Sequence, residues 1–136
     1  MEETPEATLE QAYKLINAKL ADELLETILA QSPSFFEQLV VDLMKAMGYG
    51  EGLKTQDSRD GGTDGIINED RLGFNLIYIQ AKRWAPDRTI GRKEITSFVG
   101  SMAEPPRVEK GLFITTAKFT DDAIKYAKAQ HIILVD

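Results

Sequence analysis

Two polar stretches contain the residue types that could support hydrolysis at a phosphate. The first, Asp60–Gly65, has the sequence DGGTDG, and its glycines allow tight turns and the close approach of a ligand. The second, Gln80-Ala81-Lys82, ends an apolar run, and period-two geometry places Gln80 and Lys82 on one face of a strand. A carboxylate, an amide oxygen and an ammonium group together could hold a divalent ion, orient water and neutralise charge on a phosphate.

A β-hairpin would bring these two stretches together. The segments Asp64–Asn68 and Phe74–Lys82 have the composition of strands, and residues 68–73 read as the loop between them. Antiparallel pairing would place Asp64, at the start of one strand, near the end of the next. Without that pairing, Asp64 could be an ordinary turn aspartate, and Gln80 and Lys82 only the polar end of a strand leaving the core.

Glu37 has two interpretations. Ser34-Phe35-Phe36-Glu37 matches a capping box, in which the glutamate only satisfies the start of a helix. Alternatively, Glu37 projects from a helix toward the sheet and helps to hold a metal, directly or through water. The sequence leaves both open.

A basic strip follows the strand that ends at Lys82. Positions 82–93 hold five bases against one acid, whereas residues 1–31 carry −5 of the net charge of −6. The strip could position a phosphate backbone without reading base sequence, or it could be a solvated face. Trp84 could stack on nucleic acid or pack over the sheet edge, and Thr115 and Thr116 could contact phosphate or begin a turn. The predicted DNA-binding residues are Arg83, Arg88, Arg92 and Lys93.

The elements that would position these residues follow from the apolar periodicity. Helices are predicted over Ala7–Ala30 and from Pro33 to about Met47, with Gly48 ending the second in the left-handed conformation. The second helix should bury a stripe of six residues: Phe36, Leu39, Val40, Leu43, Met44 and Met47. Later segments predict strands at 53–56, 111–115 and 132–135, a helix at 91–102 closed by Pro105-Pro106, and a helix capped by Thr120. This order predicts a three-layer α-β-α sandwich with a central mixed β-sheet.

Composition limits the chemistry and the setting. The 136 residues suit one globular domain, and no apolar stretch is long enough to cross a bilayer, so a cytoplasmic location without membrane contact is the expectation. Cysteine is absent and His131 is the single histidine, which excludes thiolate and multi-histidine metal sites. A bound metal would therefore use oxygen ligands, as Mg²⁺ does.

The spacing of Asp64, fifteen intervening residues and Gln80-Ala81-Lys82, after a helix bearing Glu37, resembles the PD-(D/E)XK nuclease superfamily. More narrowly, it resembles the Mrr-type restriction endonuclease catalytic domain, whose variant places Gln where most relatives have Asp or Glu. The resemblance covers positions 35–135, nearly everything after the first helix. It rests on the stretches FFEQLV (35–40), DGGTDG (60–65), QAKRW (80–84), GLFITT (111–116) and Phe119-Thr120.

The resemblance implies a restriction-endonuclease-like fold and assigns roles within it. Asp64 would bind the metal, Gln80 and the Ala81 carbonyl would complete its protein ligands, Lys82 would be catalytic, and Glu37 would be a supporting acid. The metal would be Mg²⁺, with Mn²⁺ as a substitute. Residues 32–136 would be the nuclease domain, truncated if a helix follows in a longer native sequence, and residues 1–31 a leading helix or a linker from an absent upstream domain.

The implied activity is hydrolysis of double-stranded DNA by the cleavage module of a restriction system that acts on foreign or modified DNA. A homodimer or larger assembly is expected on DNA, because cutting two strands needs two active centres. A DNA-recognition domain is expected in a longer native protein. Two alternatives are a catalytically silent module that binds DNA or protein, and a nuclease that processes RNA or DNA junctions.

Overall fold

The computed structural model describes residues 4–49, 52–57, 62–70, 74–103 and 107–136, with 52–57 and 62–64 described by their backbone. The chain divides into two compact units, Met1–Gln31 and Ser32–Asp136. Parts of three sequence predictions lie outside the described residues: the turn at Asp60-Gly61, the loop at 71–73 and the helix stop at Pro105-Pro106.

The first unit contains one long helix, α1 (Pro5–Leu29), which confirms the predicted leading helix. Thr4 caps it by accepting a hydrogen bond from the Ala7 N–H, and Pro5 occupies the first helical position, where its missing N–H costs nothing. No residue of α1 is buried, and a row of apolar side chains along it, including Leu9 and Ile16, is exposed. A single helix has no second element within its own unit against which to bury such a row.

The second unit contains a five-stranded sheet with the order β1-β2-β3-β5-β7. Strands β1, β2 and β3 pair antiparallel, whereas β3, β5 and β7 pair parallel. Strands β4 and β6 form a small separate parallel pair that the sequence did not predict. The elements are α2 (Pro33–Ala46), β1 (Gly52–Asp57), β2 (Gly62–Asn68), β3 (Leu76–Lys82), β4 (Thr89–Ile90), α3 (Arg92–Ala103), β5 (Lys110–Thr115), β6 (Lys118–Phe119), α4 (Asp121–Ala129) and β7 (Ile132–Val135).

Helices cover both faces of this sheet, which confirms the predicted three-layer arrangement. Tyr78 of β3 and Phe113 of β5 contact Phe98 of α3, with ring centroids 5.4 and 5.6 Å apart, and Phe98 and Phe113 are almost fully buried. Such tilted and edge-to-face ring pairs contribute beyond the area they bury. Helix α2 lies on the opposite face of the sheet, against β2 and β3. Ile77, whose side chain points away from the face of its neighbour Tyr78, is on this α2 side.

The predicted buried stripe of α2 is only partly right. Phe36, Val40 and Met44 are buried, but Leu39, Leu43 and Met47 are exposed, so their predicted burial was wrong. The reason is geometric, because α2 packs chiefly against β2 and β3 and buries only the narrow row that faces them. Leu43 and Met47 instead border an apolar groove of about 430 Å³ whose other wall includes residues of β5 and β7.

Local hydrogen bonding decides where several elements begin and end. Gly48 has φ +96°, which confirms the left-handed end of α2. Thr120 caps α4 by accepting from the Ala123 N–H, as predicted. The start of the third strand at Phe74 was wrong: Phe74 is 82% exposed, and the Asp70 carboxylate accepts the N–H groups of Phe74 and Asn75, holding them outside the sheet. Across the described residues, no helix combines the length and apolarity needed to cross a membrane.

Candidate active site

The antiparallel register of β2 and β3 brings the start of β2 and the end of β3 together at the open end of the hairpin. Asp64 lies directly opposite Gln80, Thr63 opposite Ala81, and Gly62 opposite Lys82. The same register continues without a shift along both strands to the Asn68 pair. The hairpin therefore juxtaposes the backbone of the two polar stretches that were singled out from the sequence.

Two polar side chains at the end of β3 are buried. Gln80 is 7% exposed and Lys82 is 3% exposed, and they share the face of Tyr78. Long charged side chains are seldom buried to this extent unless polar or electrostatic contacts compensate for lost hydration. The Lys82 Nζ lies 4.8 Å from the centroid of the Trp84 ring, within the range of a cation–π contact. A strand that merely ended in polar residues at the surface would leave these groups in water.

The end of β5 fixes the backbone on both sides of Arg83. The Thr115 hydroxyl donates to the Lys82 carbonyl at 2.7 Å and accepts from the Ala117 N–H at 3.1 Å. The Thr116 N–H also donates to the Lys82 carbonyl at 3.3 Å, and the Thr116 hydroxyl donates to the Trp84 carbonyl at 2.5 Å. Both threonines therefore bind protein backbone next to the site. Their signal in the sequence is their place at the carboxyl end of a strand parallel to β3.

Glu37 does not cap α2. The N-cap is Ser32, whose hydroxyl accepts from the Phe35 N–H at 3.2 Å, and Pro33 is the first helical residue. The capping box that begins at Ser34 is therefore wrong, because its frame is shifted by two residues. Glu37 lies beyond the first turn, is 7% exposed, and belongs to the helix that packs against β2 and β3. Its carboxylate enters the interior from the element that covers the hairpin.

The predicted DNA-binding strip divides into two parts. The Arg88 guanidinium stacks 3.7 Å from the centroid of the Trp84 ring, the same ring that Lys82 approaches. The Arg92 guanidinium lies 4.6 Å from the Tyr126 centroid and 3.9 Å from the Asp122 carboxylate, so it is engaged with α4. The remaining two residues differ in burial: Lys93 is exposed and Arg83 is half-buried. The structure thus brings Arg88 to the ring that Lys82 also approaches, whereas the Arg92 guanidinium lies over Tyr126.

Comparisons with known proteins show the family of this chain. A family profile described as restriction endonuclease, the Mrr catalytic domain, matches residues 28–136. The type IV methyl-directed restriction enzyme EcoKMrr of Escherichia coli K12 is 40% identical over 138 residues, which cover 98% of this chain and 44% of that protein. The chain therefore spans less than half the length of this relative.

Solved structures that are similar to this one show its fold. The DNA modification-dependent restriction endonuclease AspBHI has a TM-score of 0.64 at 20% identity, over 83% of this chain and 31% of that chain. A protein of unknown function, AF1548, has a TM-score of 0.58 at 21% identity, over 76% of this chain and 57% of that chain. These likenesses confirm the restriction-endonuclease-like arrangement of helices around a mixed sheet.

Proposed function

Because this chain belongs to the restriction endonuclease family of the Mrr catalytic domain, we propose that its unit Ser32–Asp136 hydrolyses phosphodiester bonds of double-stranded DNA. One observation carries the proposal: β3 ends in a buried amide and a buried ammonium, and its Gln80 lies directly opposite Asp64 of β2. Burying Gln80 and Lys82 is unfavourable for stability unless their contacts compensate, so a chemical role explains why this strand ends in them.

Enzymes of this family generally use a divalent metal, and Asp64 and Gln80 are residue types that supply the oxygen donors such an ion prefers. We assign the Asp64 carboxylate, the Gln80 amide oxygen and the Ala81 carbonyl as its protein ligands. Such a donor set suits Mg²⁺ or Mn²⁺, which prefer carboxylate and carbonyl oxygens to sulfur or imidazole. When bound, a divalent ion there stabilises negative charge on the phosphate and lowers the pKa of a water molecule.

Lys82 supplies the second chemical group. Its ammonium can orient the attacking water and neutralise the charge that develops on the phosphate, and electrostatic stabilisation is strong where water is excluded. Hydrogen bonds from Thr115 and Thr116 to the Lys82 carbonyl hold the end of the strand that carries this side chain. Glu37 is proposed as a supporting acid that reaches the hairpin from α2.

The assignment is tested by cleavage of supercoiled plasmid with the whole chain in Mg²⁺ and in Mn²⁺. Asp64→Asn and Lys82→Met keep side-chain size and remove the charge, and each should reduce nicking at least about a hundredfold. Lys128→Met, which removes an exposed lysine on α4, is the matched control and should cleave like the wild type. Equal nicking by the wild type, Asp64→Asn and Lys82→Met would refute the site.

The restriction role extends the proposal to a longer protein. EcoKMrr is described as methyl-directed, and this chain covers 44% of its length. AspBHI is described as modification-dependent, and this chain covers 31% of it. We propose that a separate domain recognises the modified base and that Met1–Gln31 connects that domain to the nuclease unit. This 136-residue chain should then cleave methylated and unmethylated plasmid at equal rates. A clear preference for methylated plasmid would place recognition within the chain itself.

A second candidate function is favoured by the net charge of −6, which is unusual for a protein that binds a polyanion. In this alternative the chain is a catalytically silent module that binds DNA or protein. Binding of duplex DNA without cleavage in Mg²⁺ or Mn²⁺ would support it. Comparison of duplex, branched and RNA substrates would separate the duplex-cleaving enzyme and the silent module from a nuclease that processes junctions or RNA.

Sedimentation with duplex DNA would test for the expected homodimer.

A further inference from the structure

Trp84 is the only tryptophan of the chain and lies two residues beyond the end of β3. Its indole is half-buried, and two cations lie over its ring: the Lys82 Nζ at 4.8 Å from the centroid and the Arg88 Cζ at 3.7 Å. Both distances are within the roughly 6 Å range in which a cation is attracted to the negative face of an aromatic ring. One ring therefore contacts the proposed catalytic lysine and the basic strip together.

The main chain that carries the Trp84 ring is held by the same backbone contacts that hold the site. The Trp84 carbonyl accepts from the Thr116 hydroxyl, and the Lys82 carbonyl accepts from the Thr115 hydroxyl. The Arg88 backbone is fixed as well, because its N–H donates to the Ala85 carbonyl and its own carbonyl accepts from the Lys118 N–H. The main chain from which the indole, the lysine and the arginine side chains extend is thus fixed by hydrogen bonds at the end of β5 and the start of β6.

A lysine side chain needs such a support more than most residues do. Its ammonium is a compact charge on a flexible four-carbon stem, and four rotatable bonds must be ordered before it can act at one point. Indole offers a large rigid face with two side-chain torsions, so it restrains a cation at little entropic cost of its own. In a side chain that is only 3% exposed, this attraction also replaces part of the lost hydration of Lys82.

We propose that Trp84 is a positioning residue for DNA cleavage, an inference that rests on the proposed function of Lys82. The indole holds the Lys82 ammonium in its working orientation and presents the Arg88 guanidinium beside it to a phosphate of the DNA backbone. Trp84 thus couples substrate binding, through Arg88, to the cleavage step, through Lys82. The ring itself acts through these two cations.

The first test compares Trp84→Phe, which keeps an aromatic face, with Trp84→Leu, which keeps only apolar bulk. Single-turnover plasmid cleavage in Mn²⁺ separates the cleavage rate constant from the DNA dissociation constant. Trp84→Leu should lower the rate constant about tenfold and Trp84→Phe less than about threefold. Arg88→Ala should weaken DNA binding and change the rate constant much less. Equal effects of Trp84→Phe and Trp84→Leu, at equal thermal stability, would overturn the proposal.

The second test needs no activity. Because Trp84 is the sole tryptophan, emission excited at the red edge of its absorption band, where the four tyrosines absorb little, reports on its ring alone. Lys82→Met and Arg88→Ala should each change that spectrum, whereas the Lys128→Met control should not. Unchanged emission in Lys82→Met would show that the contact is absent and would refute the positioning role, even if Lys82 is essential. Conversely, normal cleavage by Lys82→Met with altered emission would refute the proposed function and leave the contact intact.

Discussion

Replacing Thr115 by valine removes one hydroxyl from the backbone support of the site while keeping the branched shape of the side chain. The residue is 3% exposed, and its hydroxyl donates to the Lys82 carbonyl at 2.7 Å and accepts from the Ala117 N–H at 3.1 Å. The Lys82 carbonyl keeps a second donor, the Thr116 N–H at 3.3 Å. The Ala117 N–H loses its side-chain acceptor in a residue that is 2% exposed.

The expected loss follows from these contacts. A net hydrogen bond contributes about 1 kcal/mol, and a buried polar group left without its partner costs about 1–3 kcal/mol, so Thr115→Val should lower the free energy of unfolding by about 2 kcal/mol. For a chain of this length, that change corresponds to a melting temperature lower by about 8 °C. The cleavage rate should fall as well, because small displacements of a catalytic group have large effects on rate.

Urea unfolding followed by circular dichroism measures the change in stability. Thr115→Ser retains the hydroxyl and should recover most of the lost free energy. Thr96→Val is the matched control, because Thr96 is on the exposed side of α3 and its hydroxyl donates only to the Arg92 carbonyl of the same helix, so its loss should matter little. If Thr115→Val unfolds at the wild-type urea concentration, or if Thr115→Ser is as unstable as Thr115→Val, the hydroxyl does not hold the strand end.

Three other changes test further elements of the site. Glu37→Gln should reduce cleavage about tenfold at low Mg²⁺ and much less at high Mg²⁺, because groups around a metal site tune the affinity of the protein for the metal. An unaltered Mg²⁺ dependence in plasmid assays would exclude a supporting role of Glu37 at the metal. Arg88→Ala should reduce the slope of the logarithm of the DNA-binding constant against the logarithm of the salt concentration by about one. Arg92→Ala should leave this slope unchanged, because the Arg92 guanidinium is engaged with α4. Equal slopes for the two variants would contradict this division of the basic strip. Thr120→Ala should lower the free energy of unfolding by about 1 kcal/mol in urea titrations, since its hydroxyl caps α4; no change would show that the cap contributes nothing.

The elements that the sequence predicts well are those with a long periodic signal or a distinct cap. Leading helix α1, the end of α2 at Gly48 and the cap of α4 at Thr120 were all predicted from residue types alone. The hairpin that sets Asp64 opposite Gln80 was likewise inferred from composition and loop length. These features depend on interactions between residues that are close in the sequence, and local patterns record such interactions.

The features that were missed depend on contacts between distant segments. Strands β4 and β6 are two residues each, too short for any alternation to appear, and they exist because Thr89 and Ile90 pair with 118–119 across the intervening α3 and β5. The hydrogen bond from Thr115 to Lys82 joins residues 33 positions apart. The exposure of Leu43 and Met47 depends on how much of the sheet α2 covers, which helical period does not specify.

Glu37 shows how one local choice can change the interpretation of a site residue. Two serines lie at the start of α2, Ser32 just before it and Ser34 within its first turn, and the spacing of Ser34 and Glu37 favoured a capping box. Proline prefers the first helical position, however, and Pro33 therefore makes Ser32 the cap. With the cap assigned to Ser32, a capping role no longer explains why Glu37 is buried. Burial of a carboxylate is unfavourable unless a hydrogen bond, an ion pair or a metal compensates for its lost hydration. Helix α2 packs on the face of the sheet opposite to the Gln80 and Lys82 side chains, so Glu37 would support the site from the other side of the hairpin. The Mg²⁺ dependence of Glu37→Gln distinguishes that role from a purely structural one.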